Sequence, residues 1–503
     1  MTLQLHTPEQ AASWLRERVT GSLWTDSRRL GQGDGFVAWP GAATDGRKYV
    51  ADALAAGAAA CLVELEGAAA YGFSDDRIAT YAGLKAATGP VAAAYFNAPS
   101  RQLQVVAVTG TNGKTSTAWW LAQALGRLGR KCGVVGTLGI GEPGAMVFNG
   151  LTTPDPVLLQ QQLRRFVEDG FSACALEASS VGIVERRLDA TVVQVAIFTN
   201  FTQDHLDYHA SMQSYWEAKQ MLFRWPGLKA AVINADDSKG VELSTSLAGA
   251  ALDVWTFSCE RPARLQARAI EHGAQTLSFD VVEGEGEGAE RHRISTHLVG
   301  QYNVSNLLGV IAALRALGLP LTDVVSACAD LSPVPGRMEI IAVAGLPLVV
   351  IDYAHTPDAL EKVLMALKPA ARNRGGQLWC VFGCGGDRDA SKRPLMAAAA
   401  ESNADQVVLT SDNPRSENPL AIMRQVLLGL SHRDAVHVQA DRAVAIAHAL
   451  SLAQPQDVVL LAGKGHESYQ EVGGLKLPFS DRAHAQATLD ALAAGRQAAG
   501  GAA

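Results

Sequence analysis

Val105-Val106-Ala107-Val108-Thr109-Gly110-Thr111-Asn112-Gly113-Lys114-Thr115-Ser116-Thr117 is the stretch that decides the fold. An apolar run of strand type passes into a Gly-containing loop, then Lys-Thr, then a helix expected to start near Thr117. This is the logic of a phosphate cradle. Glycines admit backbone N–H groups to the phosphate oxygens, the helix N-terminus presents the positive end of its dipole, and Lys114 adds a point charge. The Thr115 hydroxyl is placed for Mg²⁺. The strict eight-residue pattern wants Gly where Val108 stands, so this is the shorter GxxGK(S/T) form. Gly110, Thr111, Asn112, Gly113, Lys114, Thr115 and Ser116 are therefore expected to hold ATP or another nucleoside triphosphate. An ordinary Gly-rich turn is the bland alternative, and the strand–loop–helix context argues against it.

Outward from this loop the chain reads as α/β throughout. The strand candidates Ala173 to Glu177, Val193 to Thr199 and Ala230 to Asn234 alternate with helical segments, which predicts a parallel sheet with helices on both faces. Residues 252 to 299 carry period-2 segments and the tip Glu283-Gly284-Glu285-Gly286-Glu287-Gly288, and are expected to form an antiparallel excursion ending in a solvated hairpin. Before the loop, residues 1–100 alternate short apolar runs with Ala-rich helices, a small α/β unit closed by the linker Asn97-Ala98-Pro99-Ser100. After Ser332-Pro333-Val334-Pro335-Gly336-Arg337 a third strand–helix series begins, with strands near Leu346 to Tyr353, Leu378 to Phe382, Gln406 to Thr410 and Asp457 to Ala462. The expected domains are 1–100, 101–335 and 336–503, the last Rossmann-like with a frayed Ala/Gly-rich tail from Gly495. At roughly 150 residues per domain, 503 residues also give about three.

Composition narrows the function. With 43 Lys+Arg against 50 Asp+Glu the net charge is −7, which gives no support for a nucleic-acid surface. A hydrophobic share of 48% excludes disordered, collagenous and small disulfide-stapled chains. The seven cysteines (Cys61, Cys132, Cys174, Cys259, Cys328, Cys380, Cys384) are odd in number and scattered, as buried reduced thiols are. The N-terminus lacks the apolar stretch of a signal peptide and no run reaches a membrane span, so a soluble, cytoplasmic protein is expected; small-molecule substrates and a monomer are expected separately.

Several clusters lie just beyond strand ends, where ligands bind open α/β sheets. Glu177 ends one strand and is the first choice for Mg²⁺, which prefers oxygen ligands. Asp204-His205-Leu206-Asp207 lies after another, and His205 in that position outranks a plain loop histidine. In the last domain Asp352 to Pro357, Phe382 to Asp389, Ser411 to Arg415 and Leu461 to Glu467 gather Arg, Lys, His and carboxylates. A zwitterionic small molecule suits such a cleft, with Arg forking its carboxylate and Glu or Asp holding its ammonium.

Taken in order, these residues resemble the Mur ligases, the ATP-dependent amino-acid-adding enzymes of peptidoglycan synthesis, over nearly the whole chain. The carriers are Thr109 to Thr115, Glu177-Ala178-Ser179-Ser180, Thr199-Asn200, Asp204 to His209, Gly300 to Asn306, Pro335 to Glu339 and Asp352 to His355. Asp412-Asn413-Pro414-Arg415 resembles the signature of the branch that adds diaminopimelate, whose extra carboxylate a guanidinium reads naturally.

The resemblance implies roles. Lys114 and Thr115 hold ATP phosphates and Mg²⁺, while Glu177, His205 and Lys219, the last as a carbamate, serve the metal centres. Asn306, Arg337 and Asp352 bind nucleotide. Ser27 meets the uridine end of a UDP-sugar, and Thr152, Thr153, Ser179, Glu185 and Arg187 meet its sugar-peptide part. Arg388, Asp412, Asn413, Pro414, Arg415, Gly463 and Glu467 bind diaminopimelate. Leu151, Val181 and Glu185 stand where relatives commonly carry Asn, His and Gln. The implied reaction joins the γ-carboxylate of a D-glutamyl residue to an amine of diaminopimelate through an acyl phosphate. A sibling ligase (lysine-adding or folylpolyglutamate-forming) and a P-loop switch that hydrolyses ATP to exchange partners are the competing readings.

Overall fold

The computed structural model describes residues 2–500 except 42, 43, 273–275 and 299, with the side chains of 272 and 497–500 left aside. The end of the tail, 501–503, and those gaps within the 252–299 segment lie outside the described residues.

Valines 105, 106 and 108 and Ala107 are fully buried. They alternate between two layers. Val106 and Val108 pack with Trp120, Leu121 and Leu125 of the helix Lys114–Arg127 and with Leu307 and Ile311 of Gln301–Ala316. Val105 and Ala107 face Leu159, Leu163 and Trp216 on the opposite side. A strand buried on both faces and paired in parallel on both edges is what a covered α/β sheet requires. Full burial of each such valine contributes about 1.5–3 kcal/mol.

Among the described residues the central sheet has eleven strands, with Gln104–Thr109 between Val195–Phe198 and Ala173–Glu177. Pairing is parallel through this middle and antiparallel at both ends. The antiparallel excursion begins at Leu265–His272, not at residue 252, because Asp253–Ser258 pairs parallel to Ala230–Asn234. Its alternation reflects a strand covered mainly on one face, with Trp255 and Phe257 buried. The acidic Gly tip closes the hairpin between Leu277–Glu283 and Glu290–Thr296 and is exposed from Glu285 to Gly288.

Five parallel strands form the N-terminal lobe, in the order Leu3–Leu5, Ile78–Tyr81, Ala60–Glu64, Gly35–Ala38, Leu23–Trp24. Its linker is a docked turn: Asn97 and Ala98 take positive φ, Pro99 and Ser100 are buried, and the Ser100 hydroxyl accepts the Val192 N–H at 3.0 Å. The third sheet runs Glu339–Ile341, Leu348–Asp352, Val458–Ala462, Leu378–Phe382, Gln406–Leu409, His437–Val438, and only its first strand is antiparallel. Helices cover both of its faces. All seven cysteines are free, and burial raises the pKa of each thiol. No helix among the described residues is long and apolar enough to cross a membrane.

Candidate active site

The helix after the P-loop starts at Lys114, three residues earlier than the sequence suggested, because Gly113 at φ 85° turns the chain directly into it. A Cβ on Gly113 would lie 2.3 Å from Asn306 Oδ1, and one on Gly110 (φ 145°) would lie 1.9 Å from Thr199 Oγ1. Both glycines are therefore fixed by close approach as well as by φ. Thr199-Asn200 stitches the loop in place: Asn200 Oδ1 accepts the Asn112 N–H at 2.9 Å, while Thr199 Oγ1 and Asn200 Nδ2 donate to the Asn112 carbonyl at 2.6 and 3.0 Å.

Two amines converge on this loop. Lys114 Nζ donates to the Gly110 and Thr111 carbonyls at 3.0 and 2.7 Å, and Lys219 Nζ donates to the same Gly110 carbonyl at 2.7 Å. Lys219 is 1% exposed, and its ammonium faces the Tyr215 ring at 4.3 Å. Burial, with the neighbouring Lys114 charge, holds its pKa well below the ordinary lysine value. Burial lowers the Lys114 pKa as well, against the pull of Glu177 and Asp204.

Glu177 is 1% exposed at its strand end. Its carboxylate accepts from the Thr115 hydroxyl at 3.0 Å and from the Thr137 N–H and hydroxyl at 2.9 and 3.1 Å. Arg337 Nη2 donates to Thr115 Oγ1 at 3.4 Å, and its guanidinium lies 4.2 Å over the Tyr353 ring. Asp352 is buried and accepts the Met338 and Ala354 N–H groups at 2.8 Å, while burial raises its pKa against these bonds and the Arg337 charge. His205, at φ 54°, has its pKa lowered to about 4 by burial, with Lys114 and Lys219 adding to the effect and Asp204 opposing it. Its imidazole is neutral at pH 7, so it retains a lone pair for a ligand.

The middle and last lobes meet at Asp204. Its buried carboxylate takes the Lys392 ammonium at 3.4 Å and lies 3.5 Å from His205 and 3.8 Å from His355. Burial pushes its pKa up, but the His355 hydrogen bond and the Lys392 charge outweigh burial and hold it well below the ordinary carboxylate range. Asn112 to Asp358 at 3.0 Å and Gln203 to Ser391 at 3.0 Å complete the seam.

On the last lobe, Lys464 is fully buried and its ammonium joins Asn413 Oδ1 at 3.0 Å to Glu467 Oε2 at 2.8 Å. Asn413 Nδ2 donates to the same Glu467 oxygen at 2.8 Å. Arg415 takes φ 52°, donates from Nη1 to the Gly386 carbonyl at 2.7 Å, and its Nε lies 3.6 Å from Glu471. Arg388 donates to the Asp387 carbonyl at 2.9 Å. Gly463 sits so close to Asp412 that a Cβ would lie 2.5 Å from the Asp412 carboxylate.

Most of these groups open on one cavity of about 1290 Å³. Its wall includes Thr111 to Ser116, Glu177, His205, Asn306, Arg337 and Asp352 on one side. Thr152, Ser179 and Arg187 join them, and Arg388, Asp412, Asn413, Arg415, Gly463 and Glu467 form the other side. Gly110 and Lys219 stand behind the P-loop wall. Thr153 is also behind it, fully buried, with its hydroxyl donating to the Glu177 carbonyl at 2.7 Å. The Pro414 carbonyl accepts the Glu417 N–H and shapes the turn without lining the cavity. Ser27 starts a short 3-10 turn in the N-terminal lobe, off this wall. Glu185 is off it as well, because its carboxylate recruits Lys85 of the N-terminal lobe at 2.8 Å and Tyr208 at 2.5 Å. Leu151 and Val181 do line the cavity. Lys392 and Thr137 went unnoticed in the sequence. Lys392 opens a helix in a Ser-Lys-Arg-Pro run that reads as solvated, and only the arrival of Asp204 from the other lobe gives it a buried partner.

Comparison with known proteins agrees with this construction. The families described as "Mur ligase middle domain" and "Mur ligase, glutamate ligase domain" match residues 108–314 and 336–465. The chain is 58% identical to the UDP-N-acetylmuramoyl-L-alanyl-D-glutamate–2,6-diaminopimelate ligase of Acidovorax sp. (strain JS42), covering 96% of this chain and 97% of that one. It is 46% identical to the protein of the same name from Pseudomonas aeruginosa, covering 95% and 96%. A solved structure named as a UDP-N-acetylmuramoyl-L-alanyl-D-glutamate–2,6-diaminopimelate ligase is 34% identical with a TM-score of 0.64, over 94% of this chain and 95% of that chain. A Mycobacterium tuberculosis folylpolyglutamate synthase complexed with ADP and AMPPCP, 20% identical with a TM-score of 0.60 over 75% and 92%, speaks for the fold alone. With two family domains matched in order and near-full-length relatives at such identity, the chain belongs to the Mur ligase family.

Proposed function

We propose that the protein is an ATP-dependent ligase that adds meso-2,6-diaminopimelate to the D-glutamyl residue of UDP-N-acetylmuramoyl-L-alanyl-D-glutamate. The observation that carries this reading is the single cavity walled by both the Lys114 loop and the Arg415 loop. A carboxylate is a poor electrophile, so the γ-phosphoryl group of ATP is first transferred to the D-glutamyl γ-carboxylate, giving an acyl phosphate and ADP. The neutral amine of diaminopimelate then attacks the carbonyl carbon. Phosphate leaves from the tetrahedral intermediate, the nitrogen loses its proton, and an amide remains.

The P-loop N–H groups and Lys114 hold the triphosphate, while Asn306, Arg337 and Asp352 hold the rest of the nucleotide. Thr152, Ser179 and Arg187 orient the peptide carboxylate, and the N-terminal lobe, residues 1–100 with Ser27, takes the uridine end. Arg415 and Arg388 fork the carboxylates of diaminopimelate, and Glu467 and Asp412 receive the ammonium that does not react. The seam at Asp204 keeps water from the acyl phosphate.

Among the described residues no group of three or more His, Cys, Asp or Glu forms a metal cage. The Thr115 hydroxyl and Glu177 carboxylate instead offer a few hard oxygens, as Mg²⁺ requires when it keeps phosphate and water ligands. Thr115, Glu177, His205 and a carbamate on Lys219 would hold Mg²⁺, which when bound neutralises phosphate charge. The depressed Lys219 pKa supports the carbamate, since only a free amine adds CO₂, forming an N–C bond and releasing a proton. The protein acts as a monomer on small-molecule substrates, in the cytoplasm.

Phosphate release from ATP tests the reading. Release should require the UDP-muramoyl dipeptide together with diaminopimelate, and lysine should support far less of it. Steady hydrolysis indifferent to both would overturn the proposal.

A further inference from the structure

We propose that the buried Arg442–Asp481 ion pair is a positioning device that sets the spacing between the two amino-acid-binding loops, and so tunes the preference for diaminopimelate; this rests on the functional reading above. Both side chains of the pair are fully shielded, and Asp481 accepts Arg442 Nε and Nη2 in a fork, each at 2.7 Å. Neither residue lines the cavity. The guanidinium also donates to two carbonyls, with Nη2 reaching Ala462 O at 2.9 Å and Nη1 reaching Ser411 O at 3.3 Å.

Those two carbonyls stand at the roots of the two loops. Ser411 directly precedes Asp412-Asn413-Pro414-Arg415, and Ala462 directly precedes Gly463-Lys464-Gly465-His466-Glu467. Their strands, Gln406–Leu409 and Val458–Ala462, are not neighbours: Leu378–Phe382 lies between them. No ladder hydrogen bond therefore links the two loop roots, and one guanidinium spans the end of the intervening strand to hold both. At about 4.8 Å per strand the roots stand roughly 10 Å apart, each tied by ladder bonds to the intervening strand, and the guanidinium joins them directly, while further out Lys464 links Asn413 of one loop to Glu467 of the other. The tolerance is small, since Gly463 and Asp412 already touch at the distance a Cβ would forbid. Asp412 and Glu467 also lie near enough for their charges to help hold the Arg442 pKa up, after burial, which lowers it, and Asp481.

A buried ion pair gains little net stability over apolar residues of similar volume, whereas removing one partner leaves a costly bare charge. Stability alone does not account for this pair, and its bonds to the two loop roots do. The test compares wild type with Arg442→Lys, with Asp481→Asn and with the double variant Arg442→Met/Asp481→Leu, which removes both charges together. Each soluble variant is measured for KM toward ATP, KM toward diaminopimelate, and the ratio of kcat/KM for diaminopimelate over lysine. A misplacement of loops of the order of an ångström costs about 10²-fold. The expected result is a diaminopimelate KM raised by roughly 10- to 100-fold and a diaminopimelate/lysine ratio reduced to match, with the ATP KM within about 2-fold of wild type. Unchanged diaminopimelate KM and ratio in a folded variant, or equal losses toward ATP and both amino acids, would overturn the positioning role. If wild type itself shows no diaminopimelate-dependent phosphate release, the functional reading fails rather than the clamp measurement.

Discussion

Lys114→Ala lowers kcat for ligation by about 10²- to 10³-fold while leaving the fold intact, since removing one donor aimed at developing charge costs about that much. Among the described residues the ammonium hydrogen-bonds to backbone carbonyls, Gly110 at 3.0 Å and Thr111 at 2.7 Å, and the Glu177 and Asp204 carboxylates act on it through their charge without direct contact. The loop itself is held by Thr199 and Asn200 and survives the substitution. What is lost is the ammonium that joins Arg337 at the helix start, on the wall of the cavity. A kinetic assay alongside thermal unfolding separates the two effects. A variant retaining a tenth of wild-type kcat would show that the phosphates are held elsewhere.

Arg415→Ala removes diaminopimelate use selectively. Truncating one side of a buried charged contact costs about 2–5 kcal/mol, or about 30- to 5000-fold in kcat/KM for diaminopimelate. The Arg415 guanidinium is fixed in advance by Gly386 and Glu471, so little ordering entropy opposes the contact. ATP binding stays near wild type because Lys114 and Arg337 are untouched, and activity with lysine, which lacks the second carboxylate, changes little. Equal losses with both amino acids would mean that another residue reads that carboxylate.

Much of the fold was legible because parallel strands buried on both faces must be continuously apolar, as Val105 to Val108, Ala173 to Leu176 and Val458 to Ala462 are. Asp253–Ser258 misled because alternation reports how many faces are covered and not the direction of pairing. The P-loop was legible because its chemistry is local. The residues that escaped notice act across long separations: Lys392 gains meaning from Asp204, Thr137 from Glu177, and Arg442 from Asp481. A lysine or arginine at a helix start looks solvated until the fold supplies the buried carboxylate.

The central claim is that the triphosphate and the D-glutamyl carboxylate meet beside Lys114 and form an acyl phosphate. It is tested most directly by labelling that γ-carboxylate with heavy oxygen and analysing the released phosphate by mass. The expected result is phosphate that carries an oxygen taken from the carboxylate whenever amide forms. Amide formation accompanied by wholly unlabelled phosphate would contradict it.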